Sequence, residues 1–219
     1  MTLIQRLENS WKLVKGSFAL LFENPKLFFF PLFAFAAAGV VFLLLLAWTV
    51  GFALFTDSAV VRESAGLLVV LIVLLLALVL PFIGLFFAVA LAFETGEVFH
   101  GRNVSVRRGV KHAFQNVGEV ILWVITLFFV NILVAFLRSQ TRRLGPVGQV
   151  AGEGAVSLLL AGWNFATAFV IPIMAFEDTN PFHSFKRSVT LLKKTWGETL
   201  VGRYGAGFVL GLIGGILLV

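Results

Sequence analysis

The stretch from Ser64 to Phe93, SAGLLVVLIVLLLALVLPFIGLFFAVALAF, carries no charged residue over 30 positions. A helix that crosses a bilayer needs about 20 predominantly apolar residues. The whole chain is 59% apolar and only 13% charged, whereas soluble domains are typically about a quarter charged. The stretch therefore predicts a membrane-spanning helix, and the composition extends this prediction to the rest of the chain.

Four further apolar runs flank this stretch. They are residues 27–56, 120–137, 154–176 and 199–219. The last run contains Arg203, whose long side chain we expect to reach toward the headgroups. Together with 64–93, these runs predict an all-α, polytopic transmembrane protein with about five spans in a single membrane domain, residues 1–219.

Three segments outside the runs have apolar residues at spacings of three and four, with Lys and Arg on the other face. They are residues 1–26, 103–117 and 180–197. This pattern is typical of amphipathic helices that lie in the membrane interface. Asn180 and Pro181 predict the start of the third helix, as its N-cap and first helical position.

The distribution of Lys and Arg predicts the orientation. Twelve of these residues lie in the three amphipathic segments and their flanks, and four lie in the two opposite loops. Because positive loops stay in the cytoplasm, we expect a multi-pass protein with a cytoplasmic N-terminus.

The second and third amphipathic segments align without gaps. Residues 105–119 match residues 184–198, and a Phe-Glu pair precedes each segment. The alignment suggests parallel pseudo-repeats of one interfacial helix and two spans, although any basic helix leading into a span has a similar pattern. A complete third repeat would need a sixth span after Val219, from a longer chain or from another subunit.

Four glutamates fall near the predicted cytoplasmic interface: Glu94, Glu119, Glu177 and Glu198. They could form an acidic cluster that attracts cations. Alternatively each has a local role. Glu119 and Glu198 open helices, where the dipole favours negative charge. Glu94 and Glu177 close helices, so we expect them to pair with Arg or Lys from the interfacial helices.

Few polar residues lie inside the spans. Asn131, Asn164 and Thr167 could line a solute path, or they could form hydrogen bonds between helices. Pro81 and Pro172 each remove a backbone donor, so we expect them to kink or break their helices.

Two more sets of residues suggest contacts. Gly207, Gly211 and Gly215 recur at every fourth position, a spacing that lets two helices approach closely within the chain or between subunits. The third amphipathic segment offers cations to anionic lipid headgroups. These cations are Lys186, Arg187, Lys193 and Lys194.

Several classes of function receive no support. The net charge of +6 lies beside apolar runs, which favours lipid over nucleic acid as the partner. Cysteine is absent, and His100, His112 and His183 lack the spacing of metal ligands. No Ser, His and Asp set suggests a nucleophile. We therefore expect no cofactor and no enzymatic activity.

Two stretches carry a family resemblance. SWKLVKGS at Ser10–Ser17, followed by Phe30-Pro31, and the stretch Trp163–Glu198 resemble an uncharacterised family of six-helix prokaryotic membrane proteins, a domain of unknown function. The resemblance implies a bacterial or archaeal cytoplasmic (inner) membrane and no known activity. The first 50 residues are also similar to CysZ-type sulfate permeases, which pair amphipathic helices with a Pro-interrupted first span.

Two hypotheses about function follow. The first is a channel-like or permease-like homo-oligomer, based on the repeats, the proline-interrupted spans and the glycine stripe. The alternative is a non-enzymatic scaffold or assembly factor that binds anionic lipid through its basic helices and partner proteins through its spans.

Overall fold

The computed structural model describes residues 11, 15–55, 58–143, 145–177 and 179–203, with the backbone alone at 53, 55, 58–64 and 195–203. All regular structure in these ranges is helical. The chain divides into a first unit, Met1–Val117, and a second unit, Gly118–Val219. The fold is therefore all-α, and each unit is described by itself.

The first unit contains four helices and one 3-10 turn among its described residues. They are α1 (residues 15–23), the 3-10 turn Pro25–Phe28, α2 (Phe29–Phe55), α3 (Ser58–Phe99) and α4 (Val106–Gln115). The second unit follows with four more. They are α5 (Val117–Thr141), α6 (Pro146–Thr167), α7 (Val170–Glu177) and α8 (Pro181–Arg203).

Four segments in the described part of the chain are long and apolar enough to cross a membrane. They are Pro25–Phe52, Ala65–Phe99, Val117–Thr141 and Pro146–Glu177. Large apolar side chains are exposed along them, for example Phe35 at 78% and Leu44 at 64%. Lipid tails accommodate such a surface, whereas water does not. The chain is therefore a polytopic helical membrane protein.

In the first unit, α2 and α3 pack against each other across a two-residue link, so they run antiparallel. Phe30, Val89 and Ala90 are buried between the elements of this unit. Pro81 lies inside α3, which continues through it without a break. After α3, Gly101 adopts a φ of 75°, a left-handed conformation that ends a helix with little strain when the residue is glycine.

In the second unit, the fourth span is broken between α6 and α7 at Ala168 and Phe169. Pro172 explains this position, because its ring clashes with the carbonyl of the residue four positions earlier, which is Ala168. Helix α8 packs against both α6 and α7. Asn180 caps α8 as expected, because its Oδ1 accepts a hydrogen bond from the His183 amide at 2.9 Å, and Pro181 is the first helical residue.

Helices α3 and α5 extend beyond the apolar runs that predicted them. Helix α3 ends at Phe99 rather than at Phe93, because the first glycine in a left-handed conformation comes only at Gly101. Glu94 therefore lies inside a helix and does not close it. Glu177 does end α7, as expected.

The predicted amphipathic segments also differ in extent from the helices. The segment 103–117 contains the shorter helix α4, which Ser105 caps by accepting a hydrogen bond from the Arg108 amide at 3.4 Å. The segments 180–197 and 199–219 were expected to be separate, but α8 continues without a break to Arg203. Residues 204–219, with Gly207, Gly211 and Gly215, lie outside the described residues.

Candidate functional site

A buried carboxylate joins α3 to α4 in the first unit. Glu94 is 0% exposed, and both of its oxygens accept hydrogen bonds. Arg108 donates from Nε to Oε1 at 2.8 Å and from Nη2 to Oε2 at 2.8 Å, and the Ser105 amide donates to Oε2 at 2.8 Å. This is a bidentate, charge-assisted pair, the strongest common form of ion pair. We call it the first clamp.

The first clamp holds its arginine in place. The hydrogen bond to Glu94, reinforced by the carboxylate charges, raises the pKa of Arg108 above its ordinary value. Arg108 Nη2 also donates to the Asn103 carbonyl at 3.0 Å, so the guanidinium ties the α3–α4 connection as well. Helix α4 is therefore fixed to the end of the span by a side chain from its first turn.

A second carboxylate, Glu97, lies one turn beyond Glu94 and is 8% exposed. Its Oε2 is 2.8 Å from Arg102 Nη1 and 3.7 Å from Arg108 Nε. Neither contact has hydrogen-bond geometry, so Oε2 is ion-paired but accepts no hydrogen bond from the described residues. The sequence prediction did not include Glu97, although its spacing of three from Glu94 places both on one helix face.

Helix α4 approaches α3 closely because Gly109 has no side chain. A Cβ atom at this position would lie 2.8 Å from Glu94 Cγ and 2.8 Å from Phe30 Cζ. Beside it, the His112 ring stacks on Phe93 with 3.9 Å between ring centroids. The face of α4 that packs on the protein is therefore the small-residue face with Gly109 and Ala113, both buried.

The second unit has a weaker counterpart of the first clamp. Arg187 Nε donates to Glu177 Oε1 at 3.3 Å, and the two side chains are 48% and 37% exposed. We call this pair the second clamp. The expected pairing of Glu94 and Glu177 with basic residues of the following helix is thus found in both units.

Ser188 forms hydrogen bonds with backbone groups at the break between α6 and α7. It is fully buried, donates from Oγ to the Ala166 carbonyl at 2.7 Å and accepts from the Phe169 amide at 3.3 Å. Backbone groups freed inside a membrane need such partners. In the aligned segments Ser188 matches Gly109, so a small buried residue follows the clamp arginine in each unit.

A stack of aromatic rings links three helices of the second unit. The Trp163 ring on α6 lies 6.1 Å from Trp123 of α5 and 5.5 Å from Phe185 of α8, with interplanar angles of 19° and 28°. Trp123 is buried. Phe185 lies two residues before Arg187 on α8, so the stack joins the helix of the second clamp to α5 and α6.

Among the described side chains, no contact joins Glu119 to Glu94 or Glu177. Glu119 lies in the first turn of α5, where the helix dipole favours its charge. Glu198 was expected to open a helix, but its position lies inside α8, which begins at Pro181; its side chain lies outside the described residues. The acidic cluster remains a prediction, since the two clamp glutamates belong to separate units.

Among the predicted solute-path residues, the described structure shows one mutual hydrogen bond, in which Thr167 Oγ1 donates to the Asn164 carbonyl at 3.2 Å within the same helix. Asn131 and Asn164 are exposed, and Asn131 Nδ2 donates to the Leu127 carbonyl of its own helix at 2.9 Å. Thr167 donates to the Trp163 carbonyl at 3.0 Å, also within its helix. A groove of about 300 Å³ between α2 and α3 is lined, among described residues, by apolar side chains alone. These hydrogen bonds lie within single helices, and the solute path remains a prediction.

The predicted headgroup residues are exposed on α8. They are Lys186, Arg187, Lys193 and Lys194. Helix α4 exposes Arg107 and Lys111 in the same way. Within the described ranges, no three His, Asp or Glu side chains come together as a metal site.

Comparison with known proteins identifies a family without a known activity. No curated protein and no solved structure matches the chain, so the likeness to CysZ-type sulfate permeases has no support. A family of unknown function matches residues 68–219, which include the stretch Trp163–Glu198 and both clamps. The chain therefore belongs to this family of unknown function, DUF6159.

Proposed function

We propose that this protein is a non-enzymatic membrane scaffold or assembly factor whose helices α4 and α8 bind anionic lipid headgroups in a prokaryotic cytoplasmic membrane. The supporting observation is that each helix is fixed to the protein by one face and presents cations together with an aromatic ring on the other.

Helix α8 illustrates this division. Phe182, Lys186, Thr190 and Lys193 are exposed, and their spacings of four, four and three place them on one face. The opposite face is buried and includes Ser184, Ser188 and Leu192. An aromatic ring beside lysines at the end of a span is typical of a helix at the headgroup level.

Helix α4 has the same division on a smaller scale. Arg107 and Lys111 are exposed one turn apart, and Phe114, in the next turn, is 62% exposed while its ring also contacts Phe86 of α3 edge-on. Arg108 is bound in the first clamp and therefore has a structural role. Its neighbour Arg107 is exposed and can contact lipid. Each exposed cation near an anionic surface contributes about 1 kcal/mol.

A reporter on α8 tests the proposal. Because the chain contains no cysteine, Thr190→Cys gives a single site for a fluorophore between Lys186 and Lys193. In nanodiscs, quenching by brominated phosphatidylglycerol should exceed quenching by brominated phosphatidylcholine. In the triple variant Lys186→Gln, Lys193→Gln, Lys194→Gln this preference should fall by up to about fivefold per lysine.

A second reporter provides the control. Val147→Cys lies on α6 at an exposed position, 82% accessible, and its lipid preference should not respond to the triple variant. If the preference at residue 190 survives neutralisation of the lysines, headgroup binding by α8 is wrong.

The channel-like or permease-like homo-oligomer is the alternative. It needs Asn131, Asn164 and Thr167 to face a common path, and the described hydrogen bonds give it less support than the basic helices give the scaffold. Its oligomer hypothesis rests on the glycine stripe, outside the described residues. Solute flux in vesicles containing the purified protein, reduced by Asn131→Leu, would favour the alternative over our proposal.

A further inference from the structure

Two arginines, one in the last turn of α5 and one directly after it, have no carboxylate partner among the described residues. Arg138 and Arg142 lie one turn apart and are exposed. With Asn131, Val134, Ala135 and Ser139 they line a concavity of about 330 Å³ on one face of α5. All six positions follow the helical spacings of three and four residues, so the concavity runs along the helix axis toward the middle of the span.

The two guanidinium groups differ from the clamp arginines. The carboxylates described in this unit are occupied or distant: Glu177 pairs with Arg187, and Glu153 accepts from Gln149 at 2.9 Å. No carboxylate among the described residues lies within ion-pair distance of Arg138 or Arg142.

The position along the span places these arginines at the level of lipid phosphates. Arg138 follows Glu119 by 19 residues, which is about 28 Å along a helix. The hydrocarbon core of a bilayer is about 30 Å thick. If Glu119 lies at one boundary of the core, Arg138 lies at the other and Arg142 is one turn further out.

In the described structure, the nearby hydroxyl groups bond to backbone carbonyls rather than to the two guanidinium groups. Ser139 Oγ donates to the Phe136 carbonyl at 2.7 Å, and Thr141 Oγ1 donates to the Arg138 carbonyl at 2.9 Å. The helix C-terminus itself disfavours an anion. Binding must therefore be carried by the two guanidinium forks, whose planar donor pairs match phosphate oxygens.

We propose that Arg138 and Arg142 form a binding site for a phosphate-bearing anion at this end of α5. The ligand is either the phosphodiester of an anionic lipid or a soluble phosphate, since both present the same oxygens to the arginines. The site is independent of α4 and α8, so its failure would leave the proposed function standing.

The test uses the full chain in phosphatidylcholine nanodiscs with a paramagnetic label at Phe136→Cys, an exposed position beside the concavity. The ³¹P relaxation enhancement is titrated with phosphatidylglycerol in one series and with inorganic phosphate in another. Saturable enhancement of the first identifies a lipid ligand, and that of the second identifies a soluble one.

Three variants decide whether the arginines form the site. For Arg138→Gln/Arg142→Gln, the half-saturation concentration should rise at least about tenfold, the scale of a lost charge-assisted hydrogen bond. Arg143→Gln, an exposed neighbour that does not line the concavity, should bind as the parent does. Arg138→Lys/Arg142→Lys keeps both charges but loses the forks, and it should also weaken binding. Equal affinity in the Gln or Lys double variant, or saturation by neither ligand, would overturn the proposal.

Discussion

At the scale of single residues, one added methyl group at Gly109 should have a large effect on stability. A methyl group there meets Glu94 Cγ and Phe30 Cζ at 2.8 Å, and both partners are fully buried. Gly109→Ala should therefore lower the free energy of unfolding by about 1–3 kcal/mol, the usual cost of overpacking. Thermal unfolding in detergent measures the effect.

Gly118→Ala is the matched control for Gly109→Ala. Gly118 is also helical, but its Cβ would meet nothing within 4 Å, so alanine should be neutral or stabilising through its helix propensity. Equal stability of the two variants would contradict the close approach of α4 and α3.

The two clamps provide a second prediction at this scale. Glu94→Gln removes the charge that faces Arg108 in a buried site, and we expect a loss of about 3 kcal/mol, at the low end for breaking a buried pair because Arg108 is 36% exposed. Glu177→Gln removes a half-exposed pair, worth about 0–1 kcal/mol. Thermal unfolding measures both variants. Comparable losses of free energy of unfolding would contradict the claim that burial makes the first clamp stronger than the second.

The sequence predicted that Glu94 and Glu177 pair with basic residues, because a negative charge near a helix C-terminus is unfavourable without a partner. It did not single out Glu97, Gly109 or Ser188. Their roles depend on which atoms the packed helices bring within a few ångströms, and a helical pattern does not contain that information.

At the scale of elements, the break between α6 and α7 is stabilised by a side chain from α8. Ser188→Ala removes the hydroxyl group that bonds the Ala166 carbonyl and the Phe169 amide, so both lose this buried partner. We expect a loss of about 1–3 kcal/mol. Ser139→Ala, whose hydroxyl group is exposed and bonds only its own helix, should cost much less in the same thermal unfolding assay.

A double-mutant cycle with Pro172→Ala links this loss to the helix break. Alanine restores the missing amide and removes the ring clash, which allows α6 and α7 to form one helix. The cost of Ser188→Ala should then decrease in the Pro172→Ala background. Additive effects of the two substitutions would mean that Ser188 does not serve the break.

The elements themselves were largely predictable. Charge-free runs indicated the four described spans, because a bilayer requires long apolar helices. The ends of the helices were not predictable. Helix α3 continues six residues past Phe93, because the first clamp neutralises Glu94 and the helix terminates only before Gly101. The two prolines have different effects on their helices. Helix α3 continues through Pro81, whereas the fourth span is broken before Pro172.

At the scale of the whole molecule, the two units repeat one arrangement. A span carries a glutamate near its end, and the next helix is basic, pairs one arginine with that glutamate and packs by a small residue. The aligned segments 105–119 and 184–198 predicted this likeness. The completion of the third repeat remains a prediction, because it concerns residues outside the described part of the chain.

The repeated arrangement has a consequence for topology. Between α4 and α8 the chain contains two candidate spans, Val117–Thr141 and Pro146–Glu177. Two crossings return the chain to the side from which it started. We therefore expect α4 and α8 to lie on one side of the membrane, which is the cytoplasmic side according to the distribution of basic residues, and the start of α6 to lie on the other.

Single-cysteine labelling tests this account most directly. Lys111→Cys on α4, Lys186→Cys on α8 and Val147→Cys on α6 replace exposed residues in a chain without other cysteines. A membrane-impermeant maleimide is applied to right-side-out and to inverted vesicles. We predict that residues 111 and 186 react only in inverted vesicles and residue 147 only in right-side-out vesicles. Reaction of residues 111 and 186 from opposite sides would contradict the account.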